Sequence, residues 1–158
     1  DESVLAGIVT ERDVMTVLAN EKVAAMVEDI MSTNLRVTEP DSPIGQVTRE
    51  MVRYKFRRLP VVSDDVLFGI VTATDIMRYI GSRKVFDRIE SGDITEVMSL
   101  PVRTLVSGNL YTISPDKSAN EAAAEMVRRG VGALPVIEDA RLIGLVTEYD
   151  LVKALSGA

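Results

Sequence analysis

Thr72-Ala73-Thr74-Asp75 is the stretch of this 158-residue chain best equipped for chemistry, and it recurs. Thr147-Glu148-Tyr149-Asp150 repeats it and Thr10-Glu11-Arg12-Asp13 anticipates it, after Gly69-Ile70-Val71, Gly144-Leu145-Val146 and Gly7-Ile8-Val9 respectively. In every copy a short apolar run leads into the motif and an amphipathic pattern leaves it, so the threonine stands where a strand ends and a helix begins. An aspartate there can accept from both vicinal hydroxyls of a ribose. The helix N-terminus adds unpaired N–H groups and a dipole that suit a phosphate. The same residues also spell a plain helix cap, with Thr at the N-cap and an acidic side chain three positions on reaching back to it. Spacing alone leaves both readings open.

The copies differ in company. Lys55, Arg57 and Arg58 precede the first complete copy, with Arg49 and Arg53 one and two turns back on a helical pattern. The planar fork of Arg pairs bidentately with phosphate oxygens, although such residues more often end on a solvated face. In the second copy Gly132 and Ala133 stand for Arg57 and Arg58, and Tyr149 for Thr74. That cleft is expected to take a less charged ligand, to borrow an arginine, or to stay empty, with Tyr149 stacking on a ring or plugging the slot.

Composition removes several function classes. The chain has no cysteine and no histidine, which excludes Ser-His-Asp and Cys-His catalysis and His- or Cys-ligated zinc within it. A net charge of −6 argues against sequence-independent nucleic-acid binding, which needs a cationic face. No apolar run reaches the ~20 residues of a membrane span and no signal-peptide pattern opens the chain, so the expected setting is cytoplasmic. Asp64, Asp65 and Asp139 read as turn residues, too few to build a Mg²⁺ site. The methionines at 31, 51, 77, 98 and 126 read as core.

The elements that hold the motif come from an internal repeat. Residues 29–82 align with 104–157 at a constant offset of 75 without a gap, matching Pro40-Asp41 to Pro115-Asp116, Glu50-Met51-Val52-Arg53 to Glu125-Met126-Val127-Arg128 and Leu59-Pro60-Val61 to Leu134-Pro135-Val136. Period assigns each unit a short strand (Leu35 to Thr38, Leu110 to Ile113) and a helix with Ile44, Val47, Met51 and Val52, or Ala119, Ala122, Met126 and Val127, on one face. The second helix opens with the capping box Ser118-Ala119-Asn120-Glu121. Two strands joined by a tight polar turn follow, and a short helix closes the unit. The prediction is an α/β (α+β) fold, β-α-β-β-α twice, preceded by a partial repeat holding only the last strand and helix. The expected divisions are 1–20 for the partial repeat, 27–82 and 101–158 for the two repeats, and 83–100 for a connector with apolar positions Val85, Phe86, Ile89, Ile94, Val97 and Met98. A unit of some 55 residues buries too little surface to stand comfortably alone. Pairing about a pseudo-twofold axis, with two equivalent clefts, is therefore expected.

Asp29-Ile30-Met31-Ser32, Pro40-Asp41, Arg58-Leu59-Pro60-Val61-Val62 and the repeated Gly-x-Val-Thr-x-x-Asp resemble the CBS domain. The resemblance covers both repeats and the partial one, and two such repeats form what is called a Bateman module. It implies a multi-CBS archaeal or bacterial regulatory protein of which this chain is a fragment, and a binding module rather than an enzyme. The implied ligand is an adenine nucleotide (AMP, ADP or ATP), with no cofactor required; S-adenosylmethionine or methylthioadenosine, or a structural and oligomerisation module with empty clefts, are the alternatives. By resemblance Asp75 and Asp150 take ribose hydroxyls, and Thr72, Thr74 and Thr147 lie near ribose or phosphate. Arg57 and Arg58 hold phosphate. Adenine sits in an apolar slot of Thr38, Ile44, Pro60 and Val61, with a second slot of Ile113, Ala119, Pro135 and Val136. The implied partners are an adenosine-containing small molecule, a second copy in a homodimer and an unidentified regulated protein.

Overall fold

The computed structural model describes residues 5–20, 24–90, 92–106 and 110–155. Residues 1–4 of the partial repeat, residues 107–109 and the Ile89 side chain of the connector lie outside the described residues. In chain order the elements are α1 (Glu11–Leu18), α2 (Val27–Ile30), α3 (Ile44–Tyr54), β1 (Arg58–Ser63), β2 (Val66–Thr72), α4 (Ala73–Ile80), α5 (Arg83–Glu90), α6 (Ile94–Ser99), a 3₁₀ turn at Val102–Thr104, α7 (Ala119–Arg129), β3 (Ala133–Glu138), β4 (Arg141–Thr147) and α8 (Glu148–Leu155). The fold is mixed helix and strand with a small antiparallel sheet in each repeat: β1 pairs with β2, and β3 with β4.

Both hairpins close through two residues with positive φ, Asp64 and Asp65 in one and Asp139 and Ala140 in the other, the handedness that matches the twist of the flanking strands. Both also slip register at the same place, after Val61 and after Val136. The strand expected ahead of each hairpin is reduced to a single parallel bridge, Thr38 to Val61 and Ile113 to Val136. Proline explains the truncation. Thr38 donates to the Pro60 carbonyl at 2.9 Å and accepts from Val62 N–H at 2.8 Å. The next rungs would need N–H groups from Pro60 on one side and Pro40 on the other, which neither has. Pro135 and Pro115 stop the second ladder identically.

The sequence repeats are contiguous, but the compact units are not. Unit 1 comprises residues 1–35 and 111–158, and unit 2 comprises residues 36–110. Each segment leading into one sequence repeat folds onto the body of the other. In unit 1 Val27 donates to the Lys117 carbonyl at 2.8 Å, Glu28 to Pro115 at 3.1 Å and Ala119 to Ala25 at 2.9 Å. Unit 2 repeats this at the same offset with Val102 to Ser42 at 2.8 Å, Arg103 to Pro40 at 3.0 Å and Ile44 to Leu100 at 2.9 Å. The motif glycines serve this docking. A Cβ on Gly69 would collide with the Val106 side chain, and one on Gly144 with the Met31 sulfur.

Each unit has its own core. Unit 1 buries Met15 and Leu18 of α1 with Val27, Ala122, Met126, Leu134, Val146 and Leu151. Unit 2 buries Ile44, Val47, Met51, Leu59, Val71, Ile76 and Val102. Val52 does not join the stripe, being 75% exposed, because eight residues past Ile44 is 80° off its direction at 100° per residue. In the connector Val85 and Val97 are buried, whereas Phe86 and Ile94 are half exposed. The partial repeat keeps its helix and loses its strand. Residues 5–9 pair with no described residue, and Val9 is 81% exposed where its counterparts Val71 and Val146 are fully buried. A strand needs a hydrogen-bonding edge, which the hairpin supplies in the complete repeats.

Candidate functional site

All three Thr-x-x-Asp copies fold as reciprocal caps. At α4 the Asp75 carboxylate oxygen Oδ2 accepts from Thr72 N–H at 3.0 Å and from its hydroxyl at 2.6 Å, while Asp75 N–H donates back to Thr72 Oγ1 at 3.1 Å. Thr147 and Asp150 repeat the set at 2.8, 2.6 and 3.3 Å, as do Thr10 and Asp13 at 2.8, 2.7 and 3.4 Å. The Thr10 hydroxyl and N–H hold the Asp13 carboxyl below its ordinary value. Capping uses one oxygen per aspartate and leaves the other. Arg78 donates to Asp75 Oδ1 at 3.2 Å, an exposed pair of small worth, whereas Asp150 Oδ1 has no partner among the described residues. A carboxylate offers about four lone pairs, so cap and ribose contact are chemically compatible.

Strand pairing carries the basic residues to this helix start. Arg58 lies directly across the hairpin from Thr72, and Ala73 N–H donates to the Arg57 carbonyl at 2.9 Å. Arg57 is exposed and Arg58 partly buried. In unit 1 the same places are filled by Ala133 opposite Thr147 and by Gly132, whose carbonyl accepts from Glu148 N–H at 3.2 Å. The exposed Thr74 and its counterpart Tyr149, 65% exposed, stand on the outer side of the first turn, so Tyr149 plugs no slot within its own unit.

The residues expected to form the apolar slots have separate fates. Thr38, Pro60 and Val61 meet at the parallel bridge, as Ile113, Pro135 and Val136 do in unit 1. Ile44, Val61, Ala119 and Val136 are fully buried core residues. Two related recesses border the bridges. One of about 530 Å³ is lined by Val37, Thr38, Glu39, Asp41, Ser42, Gln46 and Glu50; the other, of about 580 Å³, includes Ile113, Lys117, Glu121, Glu125 and Arg128. Neither is lined by Arg57, Arg58, Thr72, Asp75, Thr147 or Asp150.

The second recess is charge-balanced. Glu125 accepts from Arg128 and Arg129, which hold its carboxyl below the ordinary value, and Ser118 N–H, then Lys117, do the same for Glu121. Sequence reading missed a cation–π contact in each unit. Arg36 lies 3.6 Å from the Tyr54 ring centroid, and Arg129 lies 4.4 Å from that of Tyr111. The signal was present at offset 75, where Arg36 matches Tyr111 and Tyr54 matches Arg129: the partners have exchanged places. Arg49 and Arg53, grouped by sequence with Arg57 and Arg58, line a recess with Arg36 and Tyr54 instead. Among the described residues no cluster of three or more acidic side chains could hold a metal ion, and no helix is long and apolar enough to cross a membrane.

Two small α/β units, each with one hairpin, a proline-limited bridge and a capped Thr-x-x-Asp helix, define a tandem α/β repeat. Residues 27–82 and 94–157 match the CBS domain, and the chain belongs to the CBS domain family. It is 34% identical over 155 residues to the protein MJ1225 of Methanocaldococcus jannaschii, a match covering 97% of this chain and 55% of MJ1225. The chain therefore spans about half the length of that relative. The crystal structure of MJ1225 superposes with a TM-score of 0.86 at 32% identity, over 93% of this chain and 54% of that one. CBSX2 in complex with AMP gives a TM-score of 0.70 at 23% identity, over 85% of this chain and 98% of that one. The CBS pair of MJ0100 in complex with 5′-methylthioadenosine and S-adenosylmethionine gives 0.67 at 20%, over 86% and 98%. The last two likenesses speak for the fold.

Proposed function

We infer that this chain is a regulatory module that binds an adenine nucleotide at the Thr72 to Asp75 helix start of unit 2, with Asp75 on the ribose and Arg57 and Arg58 on phosphate. The observation that carries the reading is the hairpin register: Arg58 is paired with Thr72, and the Arg57 carbonyl is bonded to Ala73 N–H. Two guanidinium-bearing residues thus adjoin the helix N-terminus where a phosphate is favoured. MJ1225 has been put forward as an archaeal homolog of g-AMPK and CBSX2 binds AMP, which supports the choice of ligand class. In this reading adenine lies beside the parallel bridge at Thr38 and Pro60, with the buried Ile44 and Val61 behind it in the core. Differential affinity for two arrangements of the module lets the nucleotide act on a regulated protein, with no catalysis by this chain. The setting is cytoplasmic and a second copy is a partner.

Unit 1 favours a second reading for its own copy. Gly132 and Ala133 bring no charge to Thr147 and Asp150, and Asp150 keeps an oxygen open among the described residues, which suits 5′-methylthioadenosine or S-adenosylmethionine beside Ile113 and Pro135, with the buried Ala119 and Val136 behind them in the core.

Calorimetric titration of the chain with AMP, ADP, ATP, methylthioadenosine and S-adenosylmethionine tests both readings. Replacing Arg57 and Arg58 together by Ala is expected to weaken AMP about tenfold or more while leaving methylthioadenosine unchanged. Asp150→Asn is expected to do the reverse. AMP binding indifferent to both Arg57 with Arg58 and Asp75→Asn would remove the assignment. The absence of any melting shift at high nucleotide, where ~100 times Kd adds about 2.7 kcal/mol, would leave the structural module as the function.

A further inference from the structure

Two guanidinium groups lie over one phenol ring in unit 2, and a third lines the same recess. Arg36, Arg49, Arg53 and Tyr54 line a recess of about 410 Å³ together with Gln46 and Glu50. The Arg36 guanidinium lies 3.6 Å from the Tyr54 ring centroid and that of Arg53 lies 5.5 Å from it. Like charges gathered in this way repel, and a folded protein ordinarily places carboxylates among them. Among the described residues none of the three arginines is in an ion pair. The one carboxylate of the lining, Glu50, accepts from the Gln46 amide at 3.1 Å. Three arginines and one glutamate give 3 − 1 = +2 in a chain whose net charge is −6.

The equivalent place in unit 1 shows that the fold does not require this surplus. There Ala124 replaces Arg49, Tyr111 replaces Arg36, and Glu125 takes both Arg128 and Arg129. The cation–π contact is kept and the charge is cancelled. In unit 2 the contact instead holds the Arg36 and Arg53 forks over the ring with no carboxylate taken up among the described residues, which prepares them for an acceptor from solution.

We propose that this recess is an anion site for a condensed phosphate, a chain of two or three phosphoryl groups, separate from the helix start of α4. Three forks, each able to engage two oxygens, outnumber what one phosphate monoester can satisfy, and the recess has room for more than one phosphoryl group. Its lining includes none of Arg57, Arg58, Thr72 or Asp75. The phosphoryl chain has two sources, free inorganic polyphosphate or the tail of a nucleotide.

Inorganic tripolyphosphate is titrated calorimetrically into the 158-residue chain at low ionic strength, against the wild type, R49A/R53A and R57A/R58A. The site predicts binding that weakens about tenfold or more in R49A/R53A, persists in R57A/R58A and falls as salt is added. R49K/R53K keeps the charge without the fork and is expected to lie between, which also covers a failure of the alanine variant to fold. ATP that competes with tripolyphosphate in R57A/R58A identifies a nucleotide tail as an acceptable source; ATP that does not leaves the free polyphosphate. No binding of tripolyphosphate, or equal loss in both alanine pairs, overturns the assignment. Loss confined to R57A/R58A overturns it too, and supports the α4 site instead.

Discussion

Unit 1 and unit 2 share the hairpin, the proline-limited bridge, the docking bonds and the Thr-x-x-Asp cap, and differ at side chains that meet solvent. Thr147 and Asp150 cap α8 as Thr72 and Asp75 cap α4, yet Ala133 faces Thr147 where Arg58 faces Thr72. Gly130 ends α7 at φ 68°, and Lys55 ends α3 at φ 59° in the same left-handed conformation. Glu125 gathers two arginines, whereas Glu50 gathers none among the described residues. Duplicated backbone therefore keeps what capping and docking demand, and charge is where the copies have become different. A site inferred from one copy cannot be transferred to the other by alignment.

The sharpest separation of the copies is expected at the docking glycines. Gly69→Ala should cost about 1–3 kcal/mol in denaturant unfolding, because Val106 is stiff at χ1 and has little room to turn away. Gly144→Ala should cost less, since the Met31 thioether can take another path. Equal losses would mean that the glycine backbone, not its neighbour, sets the cost.

Next in size come the helix ends. Gly130→Ala should lose roughly 1 kcal/mol through positive φ alone, as a Cβ there meets nothing within 4 Å. Lys55→Gly should gain a few tenths to about 1 kcal/mol for the same reason run in reverse. A stabilising Gly130→Ala would overturn the backbone argument.

The smallest expected effect is electrostatic. Glu125→Gln should cost about 0.2–1 kcal/mol at neutral pH, while Glu50→Gln changes stability less. The folded Glu125 pKa is depressed by Arg128 and then Arg129, so its contribution is present above the ordinary value of 4.5 and lost as pH falls through the folded value. Melts of wild type and Glu125→Gln should thus converge below about pH 4.5. A difference that persists in acid would place the effect in packing.

Much of this was legible in the chain itself. Local signals predict both hairpins, the polar turns at Asp64 and Asp139 and the Ser118 capping box, because turn chemistry and capping act over three or four residues. Val52 was misplaced because its hydrophobicity was read without its angle on the helix. The short strands were overextended because the two prolines that stop each ladder belong to different segments, and neither is a breaker until the segments meet.

The sequence by itself determined that this protein is a tandem repeat, where each repeat turns and caps, and which copy of the motif carries arginine, since those properties are local or follow from identity at a fixed offset. Only the tertiary structure decided that each leading segment folds onto the body of the other repeat, that Gly69 and Gly144 admit it, and that Arg49 and Arg53 line a recess with Arg36 and Tyr54 rather than with Arg57 and Arg58. Those outcomes depend on contacts between residues far apart in the chain, which no local period encodes.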